Sequence, residues 1–188
     1  MGVPRRDFQY KKSNREKMKR GTMFFLVGNF GVGKSSIVKN EVIEEVDEIL
    51  LKIKNNLYVA GKKIIGADSL SSYTGGKDGV REVLNRHPDK NIILTGVYYC
   101  QLVDLKAFSK NFNIVVIYLK TSFEENNIRV ARRGRVINID TYNAKLKSHQ
   151  SFLKSSTKYG KVIFLDNNRA LEEVRSEFYN IIKKETEV

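Results

Sequence analysis

Cysteine is almost missing from this sequence: Cys100 stands alone among 188 residues, beside two prolines and no tryptophan. A single thiol excludes an internal disulfide framework and a cysteine-based zinc site, and no disulfide-linked partner is expected. No apolar run approaches the roughly 18 residues that a membrane span needs, so no membrane partner is expected. The N-terminus lacks the apolar stretch of a secretory signal, which makes a cytoplasmic location the expectation. Acidic residues are also scarce relative to basic ones, 21 against 34, for a formal charge of +13. With 41% hydrophobic and 29% charged residues, the chain reads as globular and not as disordered.

The positive charge is unevenly spread. Residues 1 to 20 hold Arg5, Arg6, Lys11, Lys12, Arg15, Lys17, Lys19 and Arg20 against only Asp7 and Glu16, a net +6. Apolar content there is too thin for a core strand, so residues 1–22 read as a basic arm ahead of a domain spanning 23–188. Two readings of the arm stay open. It is a solvated terminus, or the chain starts upstream of Met23 without functional consequence; alternatively it grips a phosphate-rich polymer without reading sequence.

From Met23 onward, apolar runs alternate with helical patterns. Residues 23–27 (MFFLV) predict a buried strand followed at once by a Gly-rich turn. Ser35 onward predicts a helix, with Val42, Val46, Ile49 and Leu50 along one face. A second strand is expected from about 57 to 67 with an interruption at Gly61, then a Ser/Gly-rich loop and a short helix around Val80, Val83 and Leu84. Residues 91–96 (NIILTG), 113–119 (NIVVIYL) and 161–165 (KVIFL) predict three further strands. Helices are expected near 123–132 and 139–157, and a last one with Leu171, Val174, Phe178, Ile181 and Ile182 on one face. Wholly apolar strands separated by helices imply a parallel sheet covered on both faces, a three-layer α/β domain.

Directly after the first strand stand Gly28, Asn29, Phe30, Gly31, Val32, Gly33, Lys34 and Ser35, which match G-x-x-x-x-G-K-[ST] in a strand–loop–helix setting. The glycines let the backbone wrap a phosphate and turn N–H groups inward. The helix start adds partial positive charge. Lys34 is placed to reach the β- and γ-phosphates, and the Ser35 hydroxyl to ligate Mg²⁺, with Ser36 next to it. ATP and Mg²⁺ are therefore the expected cofactors. The Asp-x-x-Gly and Asn-Lys-x-Asp strings of small GTPases are absent, and no carboxylate ends the strand at Leu94-Thr95-Gly96, so hydrolytic readings are weak.

From Met23 to its C-terminus the chain resembles the small P-loop kinases of the nucleoside, nucleotide and polynucleotide kinase group. The resemblance rests on the P-loop, on Ile64-Ile65-Gly66-Ala67-Asp68-Ser69-Leu70-Ser71-Ser72-Tyr73 after the second strand, and on Arg129, Arg132, Arg133 and Arg135 after the fourth. It implies a five-stranded parallel sheet in order 2-3-1-4-5 and an Arg-rich lid at about 126–140. Lys34, Asp68, Arg132 and Arg135 are then the candidate catalytic residues. Asp68, at the C-terminal end of a strand, would accept or orient the proton of an attacking hydroxyl, and with Ser35 is a candidate metal ligand. An Asp that merely caps its loop is the bland reading. Arg129 joins the P-loop as a cofactor-binding candidate, and a solvated basic face is the competing reading of the arginine cluster.

Acceptor-binding candidates are Asp68, Ser71, Tyr73, Thr95, Tyr98 and Tyr99, whose rings either stack on a base or fill the core. The kinase core, the Gly66–Ser71 segment and the charge resemble phage P-loop kinases that phosphorylate 5-hydroxymethyluracil in DNA. That resemblance implies DNA as a partner besides ATP, and the host cytoplasm as the location if the chain is phage-encoded. A kinase of a free nucleoside, nucleotide or small metabolite is the alternative, and a non-enzymatic nucleotide switch a second. His149, on the helical face of Tyr142, Leu146 and Leu153, reads as packing and not catalysis.

Overall fold

The computed structural model describes residues 20–38, 42–61, 70, 73–96, 99 and 101–186. Strand β1 (Thr22–Val27) is buried along its whole length. Its alternating side chains divide the core: Met23, Phe25 and Val27 enter one cluster, Phe24 and Leu26 the other. A strand buried on both faces needs a layer on each, and the helices supply them. On the first face lie α2 (Gly76–Asn85), α3 (Leu102–Phe108) and α5 (Ile139–Ser156), contributing Val83, Phe108 and Phe152. On the second lie α1 (Lys34–Val38) and α6 (Leu171–Thr186), contributing Ile37, Val174 and Phe178.

The sheet runs β2-β3-β4-β5-β1-β6-β7. Strands β4 (Leu57–Ala60), β5 (Asn91–Thr95), β1, β6 (Asn113–Lys120) and β7 (Gly160–Asp166) are mutually parallel and are the five strands expected, in the expected order. The expectation of five strands in all needs correction, because among the described residues the sheet is mixed and has seven. Antiparallel β2 (Glu44–Asp47) and β3 (Leu50–Lys54) extend it beyond β4.

Those two strands also correct the predicted helix through Val42, Val46, Ile49 and Leu50. The spacing fits a 3.6-residue period, but Leu51 and Ile53 alternate with Lys52 and Lys54, and only Leu51 and Ile53 of the four are buried. Asn55 and Asn56 then close a tight connection to β4, with Asn56 at φ 51°, a left-handed conformation that Asn tolerates. The second predicted strand ends at Ala60, and residues 62–69 lie outside the described residues. Helix α3 has no counterpart in the sequence reading. It begins with a capping box between Gln101 and Asp104. Among the described residues, no helix is long and apolar enough to cross a membrane.

Candidate active site

The C-terminal ends of β1, β5 and β6 converge on the P-loop, the edge where open α/β sheets place ligands. Thr95, on β5, pairs in register with Leu26 of β1, and Tyr118, on β6, with Val27. The chain leaves Val27 into a loop whose shape glycine permits. Gly31 and Gly33 adopt φ 79° and 87°, values open to glycine at little cost. A Cβ on Gly31 would also stand 2.2 Å from Cγ2 of Val130. The loop thus needs glycine there for conformation and for space.

Lys34 opens α1 and turns its ammonium back across the loop, donating to the carbonyls of Gly28 at 2.8 Å and Asn29 at 2.9 Å. The charge is held at the loop mouth, where a polyphosphate would lie. The Ser35 and Ser36 side chains follow on the first helical turn, half-buried. Arg175 of α6 fixes that turn by donating to the Ser36 carbonyl at 2.7 Å.

Behind the loop, α4 (Phe123–Ala131) packs close, with Asn126 and Val130 fully buried. Arg129 donates to Glu125 (2.6 Å), to the Val32 carbonyl (3.2 Å) and to the Asn167 carbonyl (2.7 Å). Asn167, after β7, adds a second donor to Val32 at 2.7 Å and one to Thr121 at 3.1 Å. Arg129 therefore braces the loop from behind. Its engaged donors point at the Glu125 carboxylate and at two protein carbonyls.

The rest of the arginine cluster divides differently from the expectation. Arg132, Arg133 and Arg135 are exposed in the stretch between α4 and α5. Arg135 lies 5.8 Å from the centroid of the Phe30 ring, a cation–π distance, and Phe30 is 54% exposed at the tip of the P-loop. Within the span expected as a lid, 126–140, Asn126 and Val130 of α4 are buried, with Val130 against Gly31, and α5 begins at Ile139. The stretch between the two helices, about 132–138, is largely exposed and carries Arg132, Arg133 and Arg135.

On the acceptor side, Asp68, Ser71 and Tyr98 lie outside the described residues. Thr95 is buried at the end of β5. Tyr73 is half-buried, and its hydroxyl donates to Glu48 at 2.8 Å; that hydrogen bond holds its pKa above the ordinary tyrosine value. Glu48 sits in the β2–β3 turn, beside the C-terminal end of β4. Tyr99 needs correction as a cleft residue: it is fully buried in the core, and its hydroxyl donates to the Leu70 carbonyl at 3.3 Å.

Of the polar residues buried around the loop, Asn29 and His149 were named in the sequence, as a P-loop residue and as packing, whereas Asn126 was not. The side-chain nitrogen of Asn29, both polar atoms of Asn126 and both ring nitrogens of His149 are buried without a hydrogen-bond partner. His149 is 3% exposed, edge-on to Tyr118 with centroids 5.8 Å apart. Burial chiefly, then the charges of Lys34 and Lys145, push its pKa down to about 4. Unsatisfied buried polar groups are costly, and two of these three residues, Asn29 and Asn126, adjoin the P-loop. With the left-handed glycines and the Lys34 ammonium they fit a polyphosphate. Ser35 supplies the hydroxyl expected of a Mg²⁺ ligand, while no cluster of three or more His, Cys, Asp or Glu stands ready for a metal among the described residues. Asp68, the other expected metal ligand, lies outside the described residues.

No protein-family model and no curated protein sequence matches this chain. Solved structures do. A gluconokinase from Sinorhizobium meliloti 1021 aligns over 90% of this chain and 95% of its own, with TM-score 0.53 and 10% identity. A sugar kinase from Janibacter sp. HTCC2649 aligns over 87% and 95%, with TM-score 0.52 and 15% identity. The fold is that of P-loop kinases.

Proposed function

We propose that this protein is an ATP-dependent kinase that transfers the γ-phosphoryl group to an alcohol. The observation that carries the reading is the Lys34 ammonium, tied to the Gly28 and Asn29 carbonyls across a loop held open by Gly31 and Gly33. Phosphoryl transfer asks the protein mainly for positioning and for stabilisation of charge on the phosphoryl oxygens. Lys34 and the loop N–H groups would hold the β- and γ-phosphates, and Arg132 and Arg135 would approach from the exposed stretch between α4 and α5. Mg²⁺, held by the phosphates and Ser35, would neutralise charge on the nucleotide. The acceptor oxygen forms a bond to the γ-phosphorus, the bond to the bridging oxygen breaks, ADP leaves, and the acceptor proton passes to a base. Asp68 is proposed as that base, and full activity in Asp68→Asn would refute the assignment.

Two acceptor classes are in play. The fold neighbours favour the hydroxyl of a free small molecule, since both are named as kinases of sugars or sugar acids. The formal charge of +13, with +6 in residues 1–20, favours a second reading, the hydroxymethyl group of 5-hydroxymethyluracil in DNA. In that case the base would leave the stack to reach the cleft. Incubation with γ-³²P-ATP and Mg²⁺ against sugars, nucleosides, nucleotides, plain DNA and DNA containing hydroxymethyluracil separates them. Label in free acceptors alone establishes the first reading, and label in modified DNA alone the second.

A further inference from the structure

Along most of the chain, arginines are held by acids close by. Arg81 is held by Asp78 and Asp104, Arg86 by Glu82, Arg129 by Glu125 and Arg175 by Glu172. The stretch from 132 to 158 is different. The three arginines between α4 and α5 are followed there by Lys145, Lys147, Lys154 and Lys158, against Asp140 alone. With His149 neutral the net charge is +6, as large as that of residues 1–20. All seven cations are exposed, and among the described residues none of them is in an ion pair. Nothing in the proposed transfer uses the four lysines.

Their arrangement follows from the packing of α5. Tyr142, His149, Phe152 and Leu153 turn into the core. At 3.6 residues per turn the opposite face is the one that bears Asn143, Lys147, Gln150 and Lys154, all exposed. Thr157 keeps helical dihedrals past the end of α5, φ −58° and ψ −20°, which leaves Lys158 on that face one turn beyond Lys154. Lys147 and Lys158 are then about 16 Å apart along the axis. Like charges one turn apart weaken a helix, and an anion lying between them removes that repulsion.

The row is continued by positive charge at both ends. At its start, α5 follows the stretch whose Arg135 lies over the Phe30 ring at the tip of the P-loop. At its finish, Gly160 pairs with Ile114, and the adjacent Asn113 pairs with Thr22. Residues 1–20, with their net +6, therefore join the fold two strand spacings, about 10 Å, from the start of β7.

We infer that the outer face of α5 docks a nucleic-acid strand, its phosphates along Lys147, Lys154 and Lys158, on a path from the root of the arm to the transfer site. A free metabolite is too short to engage a row of this length. A bilayer would require apolar side chains on the outward face, whereas those of α5 are in the core. Asn143 and Gln150 interleave the lysines with carboxamides that suit phosphate, sugar and base edges, which favours a nucleic acid over an acidic peptide. The inference rests on the reading that places the acceptor hydroxyl in DNA.

The test is fluorescence anisotropy of a labelled 20-nucleotide single strand with the full-length protein, without ATP, read against salt. In Lys147→Gln/Lys154→Gln/Lys158→Gln the dissociation constant should rise at least about tenfold, and the slope of log affinity on log salt should shrink by about 2, at about 0.7 for each lost phosphate contact on single strands. The corresponding triple arginine variant should keep both. An equal loss of charge elsewhere, in Lys54→Gln/Lys183→Gln/Lys184→Gln, should leave affinity within about twofold, since exposed charges far apart are screened. Binding of a fluorescent ATP analogue should be unchanged in the α5 variants, which also reports an intact fold. Absence of strand binding by the parent protein, unchanged affinity and slope in the α5 glutamine variant, or equal losses in the two glutamine variants would each overturn the inference. So would full displacement of the strand by a glutamate-rich peptide of equal charge. Strand binding of the expected pattern with label in free acceptors alone would refute the DNA acceptor and leave the docking surface standing, and label in modified DNA at full rate in the α5 glutamine variant would refute the surface alone.

Discussion

Arg129 and Asn167 donate to the same acceptor, the carbonyl of Val32, at 3.2 and 2.7 Å. They come from α4 and from the loop after β7, and Arg129 also holds the Asn167 carbonyl. One peptide of the P-loop is thereby fixed from behind by two elements distant in sequence. The loop geometry is a property of the whole α4–β7 side of the domain and not of the glycine motif alone.

Removing the carboxamide tests this brace. Asn167→Ala takes a buried donor from the Val32 carbonyl and another from Thr121. Loss of such hydrogen bonds should cost about 1–3 kcal/mol of stability in urea unfolding. Nucleotide affinity should fall as well, whereas a residue important only for folding would leave the affinity of the folded fraction unchanged.

Gly31 makes a sharper demand. In Gly31→Ala the new Cβ meets Cγ2 of Val130 at 2.2 Å, and Val130 is 1% exposed, so neither atom has room to move. The left-handed φ of 79° adds about 1–2 kcal/mol for a residue with a side chain. Nucleotide binding should be severely weakened. Adding Val130→Ala should recover the steric share and leave the conformational share, measured as partial recovery of both the urea midpoint and affinity.

His149 predicts acid sensitivity. Its folded-state pKa of about 4 lies below the ordinary value of 6.5 because burial disfavours the cation. Between those values the unfolded chain binds more protons than the folded one, so stability rises with pH across that window and is lost as pH falls from 6.5 towards 4. The full effect is about 3 kcal/mol. His149→Phe should flatten unfolding free energy between pH 4.5 and 7, and an unchanged slope in that variant would contradict this account.

The parallel core and the P-loop were legible in the sequence because each rests on a local signal. Residues 23–27 are apolar throughout and run into glycines at fixed spacing, and the strand order was implied by the resemblance to P-loop kinases. The β2–β3 hairpin was not legible as such. Val42, Val46, Ile49 and Leu50 satisfy a helical period by coincidence, and the Asn55–Asn56 turn that decides the matter lies beyond them. The sequence offered Arg129, Arg132, Arg133 and Arg135 as one cluster, but could not show that Arg129 turns to Glu125 and two carbonyls while the other three are exposed. Tyr99 illustrates the same limit: only tertiary packing shows that its ring belongs to the core.

The central claim is phosphoryl transfer to an alcohol, and the most direct measurement is the γ-³²P-ATP acceptor panel run beside Lys34→Ala. The account predicts Mg²⁺-dependent label in at least one hydroxyl acceptor, either a free small molecule or hydroxymethyluracil in DNA. It also predicts that Lys34→Ala lowers the rate at least about 10²-fold, in line with removing one preorganised group from charge stabilisation. Tight ATP binding with no label in any acceptor, or label that persists at full rate in Lys34→Ala, would contradict it.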